Sequence, residues 1–332
     1  EHTLTTEKGH YVDPVFTPDG TEGYFGKGSG AYLTNPFWSI KPGLYRVPAH
    51  GGPVQFVSRK GTNAQFGADG ERVYLLTVES QKESDRRCLI SMKPDGTDER
   101  THAVSENAVE YRVSPDGKWL AFAERYNVFV TPLTAIGRAV NVGPKMSSQP
   151  VARVSAESGA WLQWSGDASA LHWALGPTLY TRQLEDSFGF LTGTAPEQLP
   201  SAPATGLNIG FSAPFDSPDG SVVLTGGTLI TMGGTRGSEV VIPNGRVIIE
   251  GNRIVAVGAG DSVPIPDGAT RIDCTGLYIT PGFIDVHAHG AQAINALTPQ
   301  RNWINIANLA FGVTTIHDPS NDTNTIFASS EM

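Results

Sequence analysis

Apolar and polar positions alternate in short runs along the first half of this 332-residue chain, and the runs recur. The clearest is Lys118-Trp119-Leu120-Ala121-Phe122-Ala123, a β-prone stretch that follows directly on Val113-Ser114-Pro115-Asp116-Gly117. Three further turn signals of this kind are Phe16-Thr17-Pro18-Asp19-Gly20, Phe66-Gly67-Ala68-Asp69-Gly70 and Trp164-Ser165-Gly166-Asp167-Ala168. Their aspartates are spaced by 50, 47 and 51 residues. A second short strand is expected in each unit, at 44–47, 89–92, 128–131 and 179–182. In such a turn Pro pre-sets the first φ, Asp bonds the nearby backbone and Gly supplies a positive φ. A lone small sheet cannot bury both faces, so units repeating every ~40–50 residues must stack, as propeller blades do. In the fourth turn, Ala168 stands where the first three have glycine.

The pattern then changes twice. Residues 192–220 hold five prolines and no clear periodicity, which predicts an extended connection. From Ser221 to Pro281 short strands in tight hairpins are expected, at 222–224 and 228–231 around Gly226-Gly227, then at 246–250 and 253–257 around Gly251-Asn252. Strands at 269–274 and 277–280 complete a compact β-unit.

Pro281-Gly282-Phe283-Ile284-Asp285-Val286-His287-Ala288-His289-Gly290 is the segment that carries chemistry. Read as a strand over 283–289, it puts Asp285, His287 and His289 on one face. Two imidazoles one strand repeat apart can reach a single divalent ion, and a neighbouring carboxylate can orient a ligand ring. A helix is expected over 299–311, with Thr298 as its cap, Pro299 in the first turn, Gly312 after its end, and Trp303, Ile306, Ala307 and Ala310 on one face. Val313 to His317 then reads as a second strand, so the order is strand, helix, parallel strand. That order places His289 and the pair His317-Asp318 at strand carboxyl ends, where barrel active sites are built. Asp285, His317 and Asp318 are expected beside the site or in strand-end and Asp-Pro turn roles.

Composition removes several alternatives. The net charge of −9 carries no basic run, which argues against nucleic acid or an anionic membrane surface as partner. No apolar stretch approaches the ~18–20 residues that span a bilayer. Cys88 and Cys274 are too far apart for a framework or a metal pair and read as two free buried thiols. Gly26-Lys27-Gly28-Ser29-Gly30 lacks the order of a phosphate loop. Trp38, Trp119, Trp161, Trp164 and Trp173 are expected at the core or edge of blades, and His2, His10, His50, His102 and His172 on the surface or in loops.

The stretch Ser114 to Phe122 resembles the strand-turn signature of TolB-like β-propeller repeats. Pro-Gly-Phe-Ile-Asp, His-x-His, a helix and Gly-Val-Thr-Thr resemble the opening of the amidohydrolase superfamily, and the preceding β-unit resembles its N-terminal sandwich. Together these imply a multidomain, mainly β chain. Incomplete propeller blades would occupy 1–191, a linker 192–220, a small β-sandwich 221–281, and the first βαβ unit of a truncated (β/α)8 barrel 282–332. The resemblance implies that His287 and His289 are first-strand metal ligands for one or two divalent ions, Zn2+ foremost. It implies hydrolysis of a carbon–nitrogen bond in an amide, cyclic amide or peptide-like substrate by metal-bound hydroxide. Deamination and lactone hydrolysis use the same chemistry and stay open. Further ligands and a proton-accepting aspartate are expected beyond Met332, so the chain, which begins with Glu1, is expected to be an inactive fragment. The alternative is a propeller that binds a protein or ligand beside a catalytically dead barrel. The TolB likeness implies export to the periplasm, and a homo-oligomer stays open.

Overall fold

The computed structural model describes residues 3–5, 11–28, 41–80, 85–212, 218–235, 240–290 and 302–320. Trp38, Gly30 and the expected cap Thr298 with Pro299 lie outside them. The chain divides into two compact units, one running to Gly210 and the other beginning at Phe211.

Among the described residues the first unit holds four sheets, each built on antiparallel strands laid down in sequence order, with one short parallel strand added to the second. They are β1 (Tyr11–Phe16), β2 (Glu22–Lys27), β3 (Gly43–Pro48) and β4 (Gln55–Ser58); then β5 (Thr62–Phe66), β6 (Val73–Ser80), β7 (Asp85–Met92) and β8 (Arg100–Ser105). The third comprises β9 (Ala108–Val113), β10 (Trp119–Glu124), β11 (Asn127–Pro132) and β13 (Ala152–Arg153). Between β11 and β13 the chain reaches back, and β12 (Val140–Asn141) pairs in parallel with β8 of the second sheet. The fourth sheet is β14 (Ala160–Trp164), β15 (Ala170–Leu175), β16 (Thr178–Gln183) and β17 (Leu207–Asn208). This last strand lies inside 192–220, the stretch expected as a plain connection, and pairs with β16.

Each turn aspartate does what its position requires. Asp116 accepts from the Ser114 hydroxyl at 2.6 Å and the Lys118 amide at 3.1 Å, and Asp167 repeats this with Ser165 and Ser169. The Ser165 hydroxyl, then the Ser169 amide and hydroxyl, pull the Asp167 carboxyl down to about 2. Gly20, Gly70 and Gly117 take φ of 70°, 65° and 70°, and Ala168 takes 60° in the same place. A Cβ in that region costs roughly 1–2 kcal/mol, and the Asp167 bonds hold the turn there all the same.

Alternation on β10 explains the stacking. All six of its residues are buried. Trp119, Ala121 and Ala123 pack with Leu162, Trp164, Leu171 and Trp173 of the fourth sheet, whereas Leu120 and Phe122 pack with Leu89 and Ala103 of the second. Side-chain clamps join the first strands of adjacent sheets. Gln65 bonds the Tyr111 carbonyl and the Val113 amide, and Glu110 accepts from the Trp161 and Leu162 amides at 3.0 and 2.9 Å. The tryptophans at 119, 164 and 173 are core residues as expected, while Trp161 is exposed.

His102 departs from the surface role expected of it. It lies half-buried on β8, with Nε2 2.6 Å from the Ser91 hydroxyl, which also accepts from Arg72 Nε. Burial, then the charges of Arg72 and Arg100, hold its pKa below the ordinary 6.5. The folded state therefore binds fewer protons than the unfolded chain as pH falls through the unfolded value, so stability drops on acidification. Thermal unfolding should show a lower midpoint at pH 5 than at pH 7, and a smaller difference in His102→Gln. An equal drop in both proteins would refute this assignment.

The second unit contains β18 (Ser221–Thr231), β19 (Val240–Glu250), β20 (Arg253–Ala259), β21 (Thr270–Asp273) and β22 (Tyr278–Ile279). The hairpin at Gly251-Asn252 forms as expected, with Glu250 opposite Arg253. Gly226-Gly227 makes no hairpin: it is an irregularity within the single strand β18. Gly226 has φ of 80°, and a Cβ on Gly227 would lie 3.1 Å from Cys274 Cβ, so the pair bends the strand rather than reversing it. Because β18 is continuous, it pairs with β19 on one side and with β21 and β22 in tandem on the other. The hydrogen bonds thus link all five described strands in one sheet. Val223, Ile248 and Val263 form its core, and Cys274, like Cys88 in the first unit, is free and buried.

The remaining elements are β23 (Phe283–Asp285), α1 (Trp303–Ala310) and β24 (Val313–Ile316), with β23 and β24 parallel. The helix is shorter than the sequence pattern predicts, because the Asn302 side chain caps it by accepting from the Ile304 amide at 3.0 Å. Trp303, Ile306, Phe283, Ile284 and Phe311 are exposed, so the apolar faces are uncovered among the described residues. Among the described residues these three elements form one strand–helix–strand unit.

Candidate metal site

Strand β23 is regular for three residues only, against the seven expected for 283–289. Residues 286–287 form a turn, after which the Ala288 amide returns to the ladder by donating to the His317 carbonyl at 2.9 Å. The His317 amide in turn donates to the Asp285 carbonyl at 2.8 Å. His317 therefore contributes its backbone to the site. Asp285 acts through its carboxylate on the main chain: Oδ1 accepts from the His287 amide at 3.0 Å and fixes the turn.

Despite the interruption, His287 and His289 come together. Their ring centroids are 5.0 Å apart and their planes nearly perpendicular, at 72°. His289 Nδ1 lies 2.9 Å from Ser320 Oγ and 3.9 Å from Asp318 Oδ1. The tautomer follows from counting protons. Ser320 Oγ donates its single proton to Asp318 Oδ1 at 3.1 Å, so it accepts from Nδ1–H, and the lone pair of His289 stays on Nε2. Asp318 also accepts from the Ser320 amide at 2.9 Å, the foremost cause holding its carboxyl below the ordinary value. Its side chain is 10% exposed against 59% for His289, so the carboxylate sits beneath an accessible imidazole.

Ser320 was not singled out by the sequence reading. Its signal is the Asp318-Pro319-Ser320 order, in which an aspartate ahead of a proline captures the amide and hydroxyl two residues on. The donor chemistry fits part of a zinc or similar site: two imidazoles, one of them held through its other nitrogen in the manner of metal-ligating histidines. Among the described residues no group of three or more His, Cys, Asp or Glu gathers, so the set for a catalytic metal is incomplete there.

No protein-family model matches the chain. The chain is 38% identical over 73 residues to the 5-methylthioadenosine/S-adenosylhomocysteine deaminase of Symbiobacterium thermophilum, covering 22% of this chain and 16% of that protein. It is 33% identical over 88 residues to the imidazolonepropionase of Yersinia pseudotuberculosis, covering 26% and 21%. The chain thus spans about a sixth to a fifth of the length of these curated relatives. Among solved structures, TolB from Acinetobacter baumannii superposes with TM-score 0.40 at 14% identity over 56% of this chain and 44% of that one. Molinate hydrolase gives TM-score 0.26 at 25% identity over 35% and 27%. The partial likenesses to a deaminase and to imidazolonepropionases support the amidohydrolase resemblance over about a quarter of the chain.

Proposed function

We propose that this chain contributes the first two metal ligands, His287 and His289, to a hydrolase of the amidohydrolase type acting on carbon–nitrogen bonds of small molecules. The observation that carries the reading is the adjacent imidazole pair at the end of one of two parallel strands, with His289 anchored through Ser320 to Asp318. A bound divalent ion would polarise a substrate carbonyl and lower the pKa of water toward neutrality. The chain's own residues prepare for this. Asp285 fixes the turn that presents His287, and Asp318 commits the Ser320 proton so that His289 offers Nε2. The exposed apolar side chains of β23 and α1 suit packing against further strands and helices of a (β/α)8 barrel, which would also supply the remaining ligands and the proton acceptor.

The test is a titration of the chain with Co2+, whose visible spectrum reports imidazole coordination. A saturable spectrum is expected, and His287→Ala or His289→Ala should weaken binding at least about tenfold, with Asp318→Asn following in the range of about 10–100-fold known for such supporting groups. Binding indifferent to both histidines would end the proposal and leave the first unit as the functional part.

A further inference from the structure

A cleft of about 360 Å3 opens where the second and third sheets of the first unit meet, lined by polar side chains that include Arg86, Ser105, Asn107, Glu124 and Asn141. Glu124, the last residue of β10, is 7% exposed, and its carboxylate accepts from Ser105 Oγ at 3.0 Å. The direction of that bond is fixed. Ser105 Oγ already accepts from the Asn107 and Ala108 amides, each at 3.1 Å, so its one proton belongs to Glu124. Among the described residues no Lys, Arg or His pairs with this carboxylate. The second oxygen, Oε1, has no described protein partner and is not sealed from solvent, so it is open to the cleft.

Gly143 stands beside the same carboxylate. A Cβ built on Gly143 would stand 3.6 Å from Glu124 Oε2 and 4.0 Å from Oε1, and Gly143 has no left-handed φ that would demand glycine. Arg86 also lines the cleft, with Nη2 donating to Asn141 Oδ1 at 3.5 Å.

We infer that this cleft binds a small amino compound, its primary ammonium on Glu124 and its carbonyl or carboxylate end toward Arg86. An ammonium brings three donors to a carboxylate that has one. A metal ion is a poorer match, since no third acidic or imidazole ligand joins Glu124 and Glu106, the other carboxylate lining the cleft, among the described residues.

The experiment is 1H–15N NMR of the whole chain titrated separately with glycinamide, glycine and acetamide. Glycinamide or glycine should shift the Asn107 and Ala108 amides saturably, and acetamide should not. Glu124→Gln should weaken binding about tenfold or more, the loss expected for one charged hydrogen-bonded contact. Gly143→Leu should do the same by filling the space while leaving every charge in place, which keeps the test valid if Glu124→Gln misfolds. Shifts equally large with acetamide, absence of saturable shifts, or unchanged binding in Gly143→Leu would overturn the inference.

Discussion

Replacing Trp173 by alanine is expected to remove about 3–5 kcal/mol of stability from the first unit, close to the limit for a single core truncation. The indole is 1% exposed and stacks on Tyr180 with centroids 5.8 Å apart and planes within 8°. It also fills a space shaped for it: a Cβ on Gly159 would come within 2.3 Å of its Cδ1. Deleting the ring leaves a cavity between rigid neighbours, the third sheet on one side and its own hairpin on the other, which cannot collapse to fill it. Urea unfolding with its slope unchanged would measure the loss. Trp161, 53% exposed on the neighbouring strand, is the control, and its alanine variant should stay within about 0.5 kcal/mol of the parent. Similar values for the two variants would mean that the stacking of the sheets is misassigned.

The second large effect is expected at Gly282, just ahead of the histidine segment. A Cβ there would lie 2.2 Å from both Thr314 Oγ1 and Cγ2, and 2.7 Å from Thr314 Cβ. Rotation about χ1 moves the first two atoms but not the third, so Gly282→Ala must push β24 away from β23. Overpacking of this kind costs about 1–3 kcal/mol. Its signature is local: the His317 amide bonds Asp285 and the Ala288 amide bonds His317, so both should exchange faster with solvent. The Asp318–Ser320 anchor rides on the same strand end, so Co2+ affinity should fall in parallel. Unchanged exchange at both amides would show that the strands are not held as described. Gly282→Ala/Thr314→Gly should restore the exchange rates by removing the colliding side chain.

Much of the first unit was legible because its signals are local. A Pro-Asp-Gly turn announces itself within five residues, and Trp119 to Ala123 is apolar on both faces because both are covered. The strands that open each sheet were harder to see. β1, β5 and β14 contain Asp13, Asn63 and Trp161 at φ of 49°, 55° and 60°, each at a bulge that breaks the period of two. The two-residue strands β12, β13 and β17 are too short to carry any pattern, and only their partners define them. In the second unit Gly226-Gly227 misled for a related reason: glycine pairs mark bulges as well as turns, and the long partner β19 decides between them. At the candidate site the pair of histidines was readable, yet the alternation that justified it was not what brought them together. A three-residue strand followed by a turn pinned by Asp285 did so.

The small strand β12 has a consequence for synthesis. The second sheet ends in sequence at Ser105, but its outer strand β8 gains its parallel neighbour only from Val140–Asn141. At about 5–20 residues per second, a ribosome needs roughly 2–7 s to supply that neighbour. The same lag separates the emergence of the two strands from the ribosome, and throughout it β8 offers an unpaired row of amides and carbonyls to any other nascent chain. A translational pause while residues 105–140 emerge would lengthen the exposure, so aggregation during expression should depend on codon choice in the stretch being read at that moment as well as on the final fold.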